Sequence, residues 1–264
     1  MLVKFTSLPS FLNKKEGVYI KNLSKSYGKG CSLTEVIKNL NIYIPWGKFV
    51  AIFGPNGCGK TTLFNIIAGL IPPEKGEVLI NDFPPGRERI GYVSQNYQEF
   101  LLPWRTASGN LALPLESKLK EPKKIKEIIM GFFKKHKINF PLDRYPYQLS
   151  GGQQQLLSIF QALISSSPLV LLDEPFSNLD YKIAQEIKNK IIKIWKENKS
   201  LFILVTHDLT DAILLANFLI VFKQRPLSSY LFFDIDFPYP RDGKKIVKSK
   251  TFLNIYKEVL AFIS

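Results

Sequence analysis

Cysteine and histidine are scarce in this chain, and their scarcity limits how the fold can be stabilised. Two residues of each type occur among 264, which excludes a disulfide framework. Cys58 lies in a glycine-rich loop where a disulfide would be disruptive, so this cysteine usage fits a reducing cytoplasm best. Residues 1–16 contain Lys4, Lys14 and Lys15 but no sustained apolar run, and we expect no secretory signal there.

Uninterrupted apolar segments long enough to cross a membrane are also missing. Residues 201–222 are strongly apolar, but His207, Asp208 and Asp211 lie in their middle, which favours a buried strand–helix–strand segment. Residues 145–172 carry no charge, yet glycines, glutamines and a proline interrupt them. We therefore expect a soluble protein that reaches a membrane only through a partner.

Acidic residues are few relative to basic ones. The chain has 36 lysines and arginines against 22 acidic residues, a formal net charge of +14. Such a charge is compatible with nucleic acid or an anionic membrane surface as a neighbour. The lysines are scattered, however, apart from small clusters at 118–126, 134–137 and 244–250, and no nucleic-acid-binding motif accompanies them. Solvated lysine-rich faces explain this composition better, and no nucleic-acid partner is expected.

Alternating strand and helix patterns predict an α/β fold, and 45% hydrophobic residues are enough for a full core. The predicted elements are, in order, antiparallel strands at 18–23 and 37–44, a strand at 48–53, a helix at 61–68, strands at 76–80 and 89–93, a mostly helical region from about 100 to 165, a strand at 168–172, a helix at 180–196, a strand at 201–205, a helix at 209–216 and a final strand at 218–222. This order predicts a mostly parallel sheet, an N-terminal antiparallel β part and an inserted helical subdomain.

The segment after the predicted strand at 48–53 has the pattern of a phosphate-binding loop (P-loop). It consists of Gly54, Pro55, Asn56, Gly57, Cys58, Gly59, Lys60, Thr61 and Thr62. A strand before the loop and a helix after it are the context that this motif requires. The glycines let backbone N–H groups converge on phosphates, Lys60 supplies a cation for the β- and γ-phosphates, and the Thr61 hydroxyl can ligate Mg²⁺. The pattern predicts a nucleoside triphosphate site.

Two carboxylates, Asp173 and Glu174, follow a continuous apolar segment of the kind found in central parallel strands. The C-terminal ends of such strands are where α/β sheets bind ligands. Asp173 fits a metal ligand, directly or through water, and Glu174 fits a base that polarises the attacking water. Acidic turns after strands are common, so this motif by itself is a weak indication. Together with the P-loop it indicates a metal ligand and a catalytic base.

A third motif, formed by Ser150, Gly151, Gly152 and Gln153, precedes a helical pattern and allows two interpretations. Ser150 could simply cap the helix. Alternatively, the serine and the glycines expose N–H groups to a second anion. Since the chain has a single P-loop, that anion would be part of a nucleotide held by another chain.

Together, these motifs resemble those of the ABC-type ATPases. The resemblance covers residues 17–225 as the ATPase domain, with about 100–165 as its helical subdomain, and leaves 226–264 as a C-terminal tail. It implies ATP and Mg²⁺ as cofactors and a homodimer of cassettes that closes around ATP. Chromosome and repair ATPases of similar type insert long coiled coils between the two glycine-rich motifs, whereas Lys60 and Ser150 lie only 90 positions apart here.

The resemblance also assigns roles to residues outside the P-loop. It implies an adenine-stacking aromatic, a glutamine that joins the metal site to the helical subdomain, a residue that contacts the opposite subunit and a histidine that reaches the γ-phosphate. In that order, these are Tyr27, Gln95, Asp180 and His207. Gln98 competes with Gln95, but the spacing after the strand favours Gln95. His136 lacks any such context and is interpreted as a surface residue.

Two segments resemble the importer ATPases of the nitrate, sulfonate and taurine group. They are 101–106, which contains Trp104 and is followed by Asn110, and 238–242 in the tail. The resemblance implies uptake of a small anion, energised at the cytoplasmic face of the cell inner membrane. The implied partners are transmembrane permease subunits and, indirectly, a solute-binding protein. The alternatives are an ATPase of another transport system, such as lipoprotein release, and a non-hydrolysing regulator. Residues common in the family are replaced by Leu156, Gln161, Asn217 and Phe218.

Overall fold

The computed structural model describes residues 16–28 and 30–264, except for the side chain of Cys31. The three N-terminal lysines considered in the search for a secretory signal lie outside the described residues. The chain divides into two compact units. Unit 1 comprises the described residues up to Arg89 together with Lys199–Ser264, and unit 2 comprises Ile90–Asn198.

Strands and helices alternate along both units. In chain order they are β1 Gly17–Tyr27, β2 Thr34–Pro45, β3 Phe49–Phe53, α1 Lys60–Ile67, β4 Lys75–Ile80, β5 Ile90–Val93, α2 Ala107–Glu116, α3 Pro122–Lys135, α4 Gly151–Ile164, β6 Leu169–Asp173, α5 Tyr181–Asn198, β7 Leu201–Thr206, α6 Leu209–Leu215, β8 Phe218–Phe222, β9 Tyr230–Asp234, α7 Gly243–Ile246 and α8 Lys250–Ile263. This order confirms the predicted α/β fold.

The N-terminal strands of unit 1 form an antiparallel sheet in the order β2-β1-β4. Val18 of β1 pairs with Ile44 of β2 on one side and with Ile80 of β4 on the other. Val18 and Ile20 are buried and Tyr19 between them is partly exposed, which is the alternation expected for a half-buried strand. The predicted antiparallel part is therefore present.

A second sheet in unit 1 contains the strand that leads into the P-loop. There β3 lies between β7 and β8 and runs parallel to both. All five residues of β3 are buried, as are all six of β7, which is the pattern of strands covered on both faces. Asn217, one of the departures from the family pattern, joins this sheet because its side-chain oxygen accepts a hydrogen bond from Phe49 N at 3.0 Å.

The prediction that residues 218–222 form the final strand is wrong. Tyr230–Asp234 form a further strand, β9, which pairs antiparallel with β8. Its residues lie in the segment interpreted as a tail, where a short strand after a proline-containing turn has little periodicity of its own. Pairing with β9 satisfies the outer edge of β8, which would otherwise expose unpaired backbone groups.

Unit 2 contains the parallel pair β5 and β6 and the helices α2, α3, α4 and α5. Four aromatic rings form the core of its helical region, with neighbouring ring centroids 5.3–6.4 Å apart. They belong to Phe132, Phe133, Phe140 and Phe160. Helices α2, α3 and α4 lie within the range predicted for the helical subdomain.

His136 is not a surface residue, contrary to the sequence interpretation. It follows α3, it is buried, and its ring centroid lies 4.9 Å from that of Phe132. Burial lowers the pKa of this imidazole, and the neighbouring Glu197 only partly offsets the effect. A histidine with a low pKa is neutral at pH 7 and packs as an aromatic residue, which a basic local sequence does not reveal.

No helix among residues 16–28 and 30–264 combines the length and the hydropathy needed to cross a lipid bilayer. The segment 201–222 instead forms β7, α6 and β8, as its internal charges predicted.

Truncation of Phe160 is expected to destabilise unit 2. Its ring is 2% exposed and contacts three other aromatic rings, so Phe160→Ala should cost about 3–5 kcal/mol of unfolding free energy. Urea denaturation would measure the loss. Met130→Ala on the exposed side of α3 is the control and should change the unfolding free energy by less than about 0.5 kcal/mol. Equal stability of the two variants would contradict the assignment of this cluster as a core.

Candidate functional site

The P-loop connects β3 to α1, and its last glycine is sterically required. Gly59 precedes α1 with φ +116°, a conformation that side chains disfavour. A Cβ atom there would lie 2.7 Å from Val36 Cγ1 and 3.2 Å from Val36 O. The loop therefore runs against β2, and only glycine allows this close approach.

Lys60, the first residue of α1, holds its ammonium group inside the loop. The side chain is buried, and Nζ donates hydrogen bonds to Gly54 O at 2.8 Å and to Pro55 O at 2.9 Å. Cys58 is also buried, and its Sγ lies 4.0 Å from the same nitrogen. Burial raises the pKa of the Cys58 thiol, more than the nearby lysine lowers it. The thiol is thus protonated at neutral pH, which agrees with the expectation that this cysteine forms no disulfide.

Sheet register places His207 beside the P-loop. Phe53, the last residue of β3, pairs with Thr206, the last residue of β7, in parallel register. The chain therefore leaves the sheet side by side at Gly54 and His207. Asp208 then caps α6, because its Oδ1 accepts a hydrogen bond from Asp211 N at 3.0 Å. The predicted switch histidine and the P-loop thus lie at one edge of the same sheet.

Tyr27 is the last residue of β1 and presents its ring to solvent. The ring is 46% exposed, and Lys25 Nζ lies 5.6 Å from its centroid. An exposed aromatic ring is suited to stacking on a flat base. The role of Tyr27 in binding adenine stays a prediction.

In unit 2, β6 carries the two predicted carboxylates at its C-terminal end. Asp173 is 1% exposed, and Glu174 follows it in a left-handed conformation with φ +50°. This conformation costs a glutamate about 1 kcal/mol or more. Hydrogen bonds to its carbonyl oxygen hold it in place, since Glu174 O accepts from Ser177 Oγ at 3.1 Å and from Gln155 Nε2 at 3.3 Å.

Tyr92 of β5 is influenced by the charge of Asp173. Burial, followed by the negative charge of Asp173, raises the pKa of Tyr92 to about 12. A phenol with that pKa stays protonated at neutral pH. The carboxylate therefore has a neutral residue as its neighbour on β5.

Ser150 caps α4, as the simpler of the two interpretations predicted. Its Oγ accepts a hydrogen bond from Gln153 N at 3.3 Å, and Gln153 Oε1 accepts one from Ser150 N at 3.0 Å, which together form a capping box. The same helix start also lines a cavity of about 600 Å³, to which Gln95, Gln98, Gly151, Gly152 and Asn178 contribute. Both candidate glutamines therefore face the glycines of this motif.

Gln155 is a residue that the sequence interpretation missed. It is buried on α4, and besides donating to Glu174 O its Oε1 accepts a hydrogen bond from Asn178 N at 3.2 Å. One amide thus ties the backbone of the predicted base to the loop that ends at Asp180. Its role was not evident from the sequence because it is one of three consecutive glutamines. The apolar residues that follow it were a signal that this amide could be buried.

The donors predicted for magnesium are the Thr61 hydroxyl, the Asp173 carboxylate and the Gln95 amide oxygen. Oxygen donors of this kind are those that Mg²⁺ prefers, with phosphate and water as its other ligands. Within the part of the chain that the structure describes, no group of three or more His, Cys, Asp or Glu residues could hold a metal by itself. The chemistry of these oxygen donors suits Mg²⁺, and their assignment as its ligands stays a prediction.

Comparison with known proteins places this geometry in a family. Residues 37–177, more than half of the chain, match the family model for ABC transporters. The chain belongs to the ABC transporter family. It is 36% identical to an uncharacterized ABC transporter ATP-binding protein from Methanocaldococcus jannaschii, over 90% of this chain and 91% of the relative. It is 34% identical to the aliphatic sulfonates import ATP-binding protein SsuB from Bacillus cereus, over 92% and 94%.

A solved structure of another ABC cassette agrees with this assignment. It is a dimeric ATP-binding cassette in a post-hydrolysis state bound to ADP and Pi, with 30% identity and a TM-score of 0.75, and the match covers 84% of this chain and all of that one. The protein is accordingly an ATP-binding cassette with the α/β fold of ABC ATPases, and its activity is that of a transport ATPase.

Gly59→Ala should weaken ATP binding by about tenfold or more, because a Cβ atom at this φ adds strain of roughly 1–3 kcal/mol and displaces the loop from β2. Titration with a fluorescent ATP analogue would measure the Kd. Gly86→Ala is a matched control, since Gly86 has φ +99° but nothing within 4 Å of its added Cβ. If both variants bind the analogue as tightly as the natural chain, the proposed steric requirement is incorrect.

Proposed function

We propose that this cassette is the ATP-hydrolysing subunit of an importer for a small anion such as a sulfonate, taurine or nitrate. The observation that carries the proposal is its similarity along nearly the whole chain to a sulfonate import ATPase. Two segments named from the sequence, 101–106 and 238–242, support the same branch. The cassette would act at the cytoplasmic face of the cell inner membrane, attached through permease subunits.

Nucleotide binding is proposed to use residues of the P-loop and the aromatic ring at the end of β1. Lys60 would bind the β- and γ-phosphates, and the N–H groups of the loop would donate to phosphate oxygens at the N-terminus of α1. Tyr27 would stack on adenine. The remaining contacts are assigned to Gly54, Pro55, Asn56, Gly57, Cys58, Gly59, Thr61 and Thr62.

Hydrolysis is proposed to depend on carboxylate chemistry at the end of β6. Thr61, Gln95 and Asp173 would hold Mg²⁺, which would supply positive charge to the phosphates. Glu174 would accept a hydrogen bond from the attacking water and polarise it toward the γ-phosphate. His207 would donate to a γ-phosphate oxygen. The hydrogen bonds from Gln155 and Ser177 to the Glu174 backbone support a fixed position for this base.

The motif at Ser150 is proposed to act on the nucleotide of a second cassette. The first N–H groups of a helix have no intrahelical acceptor, and the capping box uses those of Ser150 and Gln153. Gly151 and Gly152 could therefore present N–H groups to a phosphate, and both line the cavity at the start of α4. Asp180, which follows the loop tied by Gln155, would contact the partner cassette.

Contact with a permease is proposed for the segment 101–106. Asn110 of α2 is fully buried, and its Nδ2 donates to the carbonyl oxygens of Leu102, Arg105 and Thr106 at 3.0–3.1 Å. This rigid loop presents Trp104, which is 71% exposed. An exposed tryptophan on a fixed loop is suited to a protein interface, and a coupling helix of the permease is the proposed partner.

Glu174→Gln tests the assignment of the base. The amide keeps the shape of the side chain but cannot accept a proton, so turnover should fall by about 10²–10⁴-fold while ATP binding is kept. Phosphate release would measure turnover, and size-exclusion chromatography with ATP would detect a trapped dimer. Glu186→Gln, on the exposed face of α5, is the control. Normal hydrolysis by Glu174→Gln would show that another residue is the base.

The cargo proposal is tested in vesicles containing the cassette, its permease and its solute-binding protein. Taurine, an alkanesulfonate or nitrate should raise ATP hydrolysis and accumulate in the lumen, whereas the Glu174→Gln cassette should do neither. Radiolabelled uptake would measure transport. Stimulation by a polyamine or release of a lipoprotein, with no response to any of the three anions, would favour another transport system.

A further inference from the structure

The segment after β9 folds back onto the C-terminal end of α6. Its central residue is Arg241, which is half-buried and donates hydrogen bonds to five backbone carbonyl oxygens. Two of these, on Ile235 and Phe237, belong to the segment itself, at 3.1 Å each. The same guanidinium group thus binds backbone carbonyl groups within the segment and others outside the segment.

The other acceptors of Arg241 are the last carbonyl groups of α6. Its Nη1 atom donates to Ile213 O at 3.0 Å, to Leu214 O at 3.1 Å and to Ala216 O at 2.7 Å. Tyr239 Oη donates to the remaining carbonyl of this series, Leu215 O, at 2.6 Å. Burial raises the pKa of Tyr239 to about 12, so its hydroxyl group stays a donor at neutral pH.

These contacts satisfy a helix end that would otherwise lack partners. The last carbonyl groups of a helix have no intrahelical donor, and they carry partial negative charge. Four successive carbonyl groups, 213–216, are bound by one cation and one phenol from the segment 235–242. A cation at this end also interacts favourably with the helix dipole.

The opposite end of α6 begins at Leu209, two residues after His207. Asp208 N donates to Thr206 Oγ1 at 3.0 Å, and Asp208 Oδ1 accepts from Asp211 N. The helix has only seven residues and packs against β3 and β7. A displacement of its C-terminal end would therefore be transmitted over about two turns to the loop that carries His207.

We propose that Arg241, assisted by Tyr239, is a positioning residue for His207: it fixes the C-terminal end of α6 and thereby the place of the histidine at the γ-phosphate. This inference rests on the proposed function, which gives His207 its role in hydrolysis. It assigns the segment 235–242 to the hydrolytic cycle rather than to an accessory tail. ATP binding itself is expected to be independent of Arg241, because Lys60 and the P-loop remain intact without it.

A double-mutant cycle with His207 tests the proposal. Arg241→Met keeps the apolar stem and removes the guanidinium group, so kcat for ATP should fall by about tenfold while the KM and the Kd of an ATP analogue change by less than about twofold. In the His207→Ala background the same substitution should cause no further fall, because both changes act through one residue. Arg225→Met, an exposed arginine in the same unit, is the control.

The outcomes separate this inference from the proposed function. Turnover at the natural rate by His207→Ala would contradict the role of His207 itself. If His207→Ala hydrolyses ATP slowly and adding Arg241→Met slows it by a further tenfold, the positioning role alone is overturned. Loss of ATP binding by the Arg241→Met variant would also overturn the positioning role alone. If Arg241→Met does not fold, Tyr239→Phe removes a single hydrogen bond, and the same cycle should show a smaller fall in kcat that again disappears in the His207→Ala background.

Discussion

Parallel pairing of β3 with β7 is the constraint that sets where the P-loop lies relative to His207 in unit 1. Phe53 lies opposite Thr206, so the P-loop and the histidine loop begin at the same level of the sheet. A shift of one residue would move His207 by about 3.3 Å and turn the side chains of β7 to the opposite face. Because both strands are buried throughout, such a shift would be strongly unfavourable. The packing of the core thus fixes the position of His207 relative to the P-loop.

Unit 2 uses a different interaction to hold its proposed base, Glu174. A buried amide, Gln155, bonds to the backbone on both sides of the turn that follows β6. On the Glu174 side, the acceptor of this bond is the backbone carbonyl oxygen. Buried amides with satisfied donors and acceptors also favour one conformation over its alternatives. Support of this kind suits a site that is proposed to be completed by a second chain.

Much of the fold was predictable because its strands and the P-loop carry strong local signals. The apolar strand at 48–53, the glycines after it and the charges within the segment 201–222 each favoured the interpretation that the structure bears out. The misses have a common cause: β9, His136 and Gln155 take their roles from three-dimensional contacts rather than from a periodic pattern of their own. A strand of five residues is defined by its partner β8, and the burial of His136 by the Phe132 ring. Local patterns do not contain that information.

The left-handed backbone of Glu174 has a consequence for how this enzyme can change. Glycine would relieve the conformational cost at that position. That substitution would remove the proposed base. Aspartate is the one other residue type that has a carboxylate and tolerates φ +50°, but its side chain is one methylene shorter. The turn that carries the proposed base therefore keeps the conformational cost of φ +50°. Substitutions that raise the thermal stability of this cassette without removing the base must lie elsewhere in the molecule.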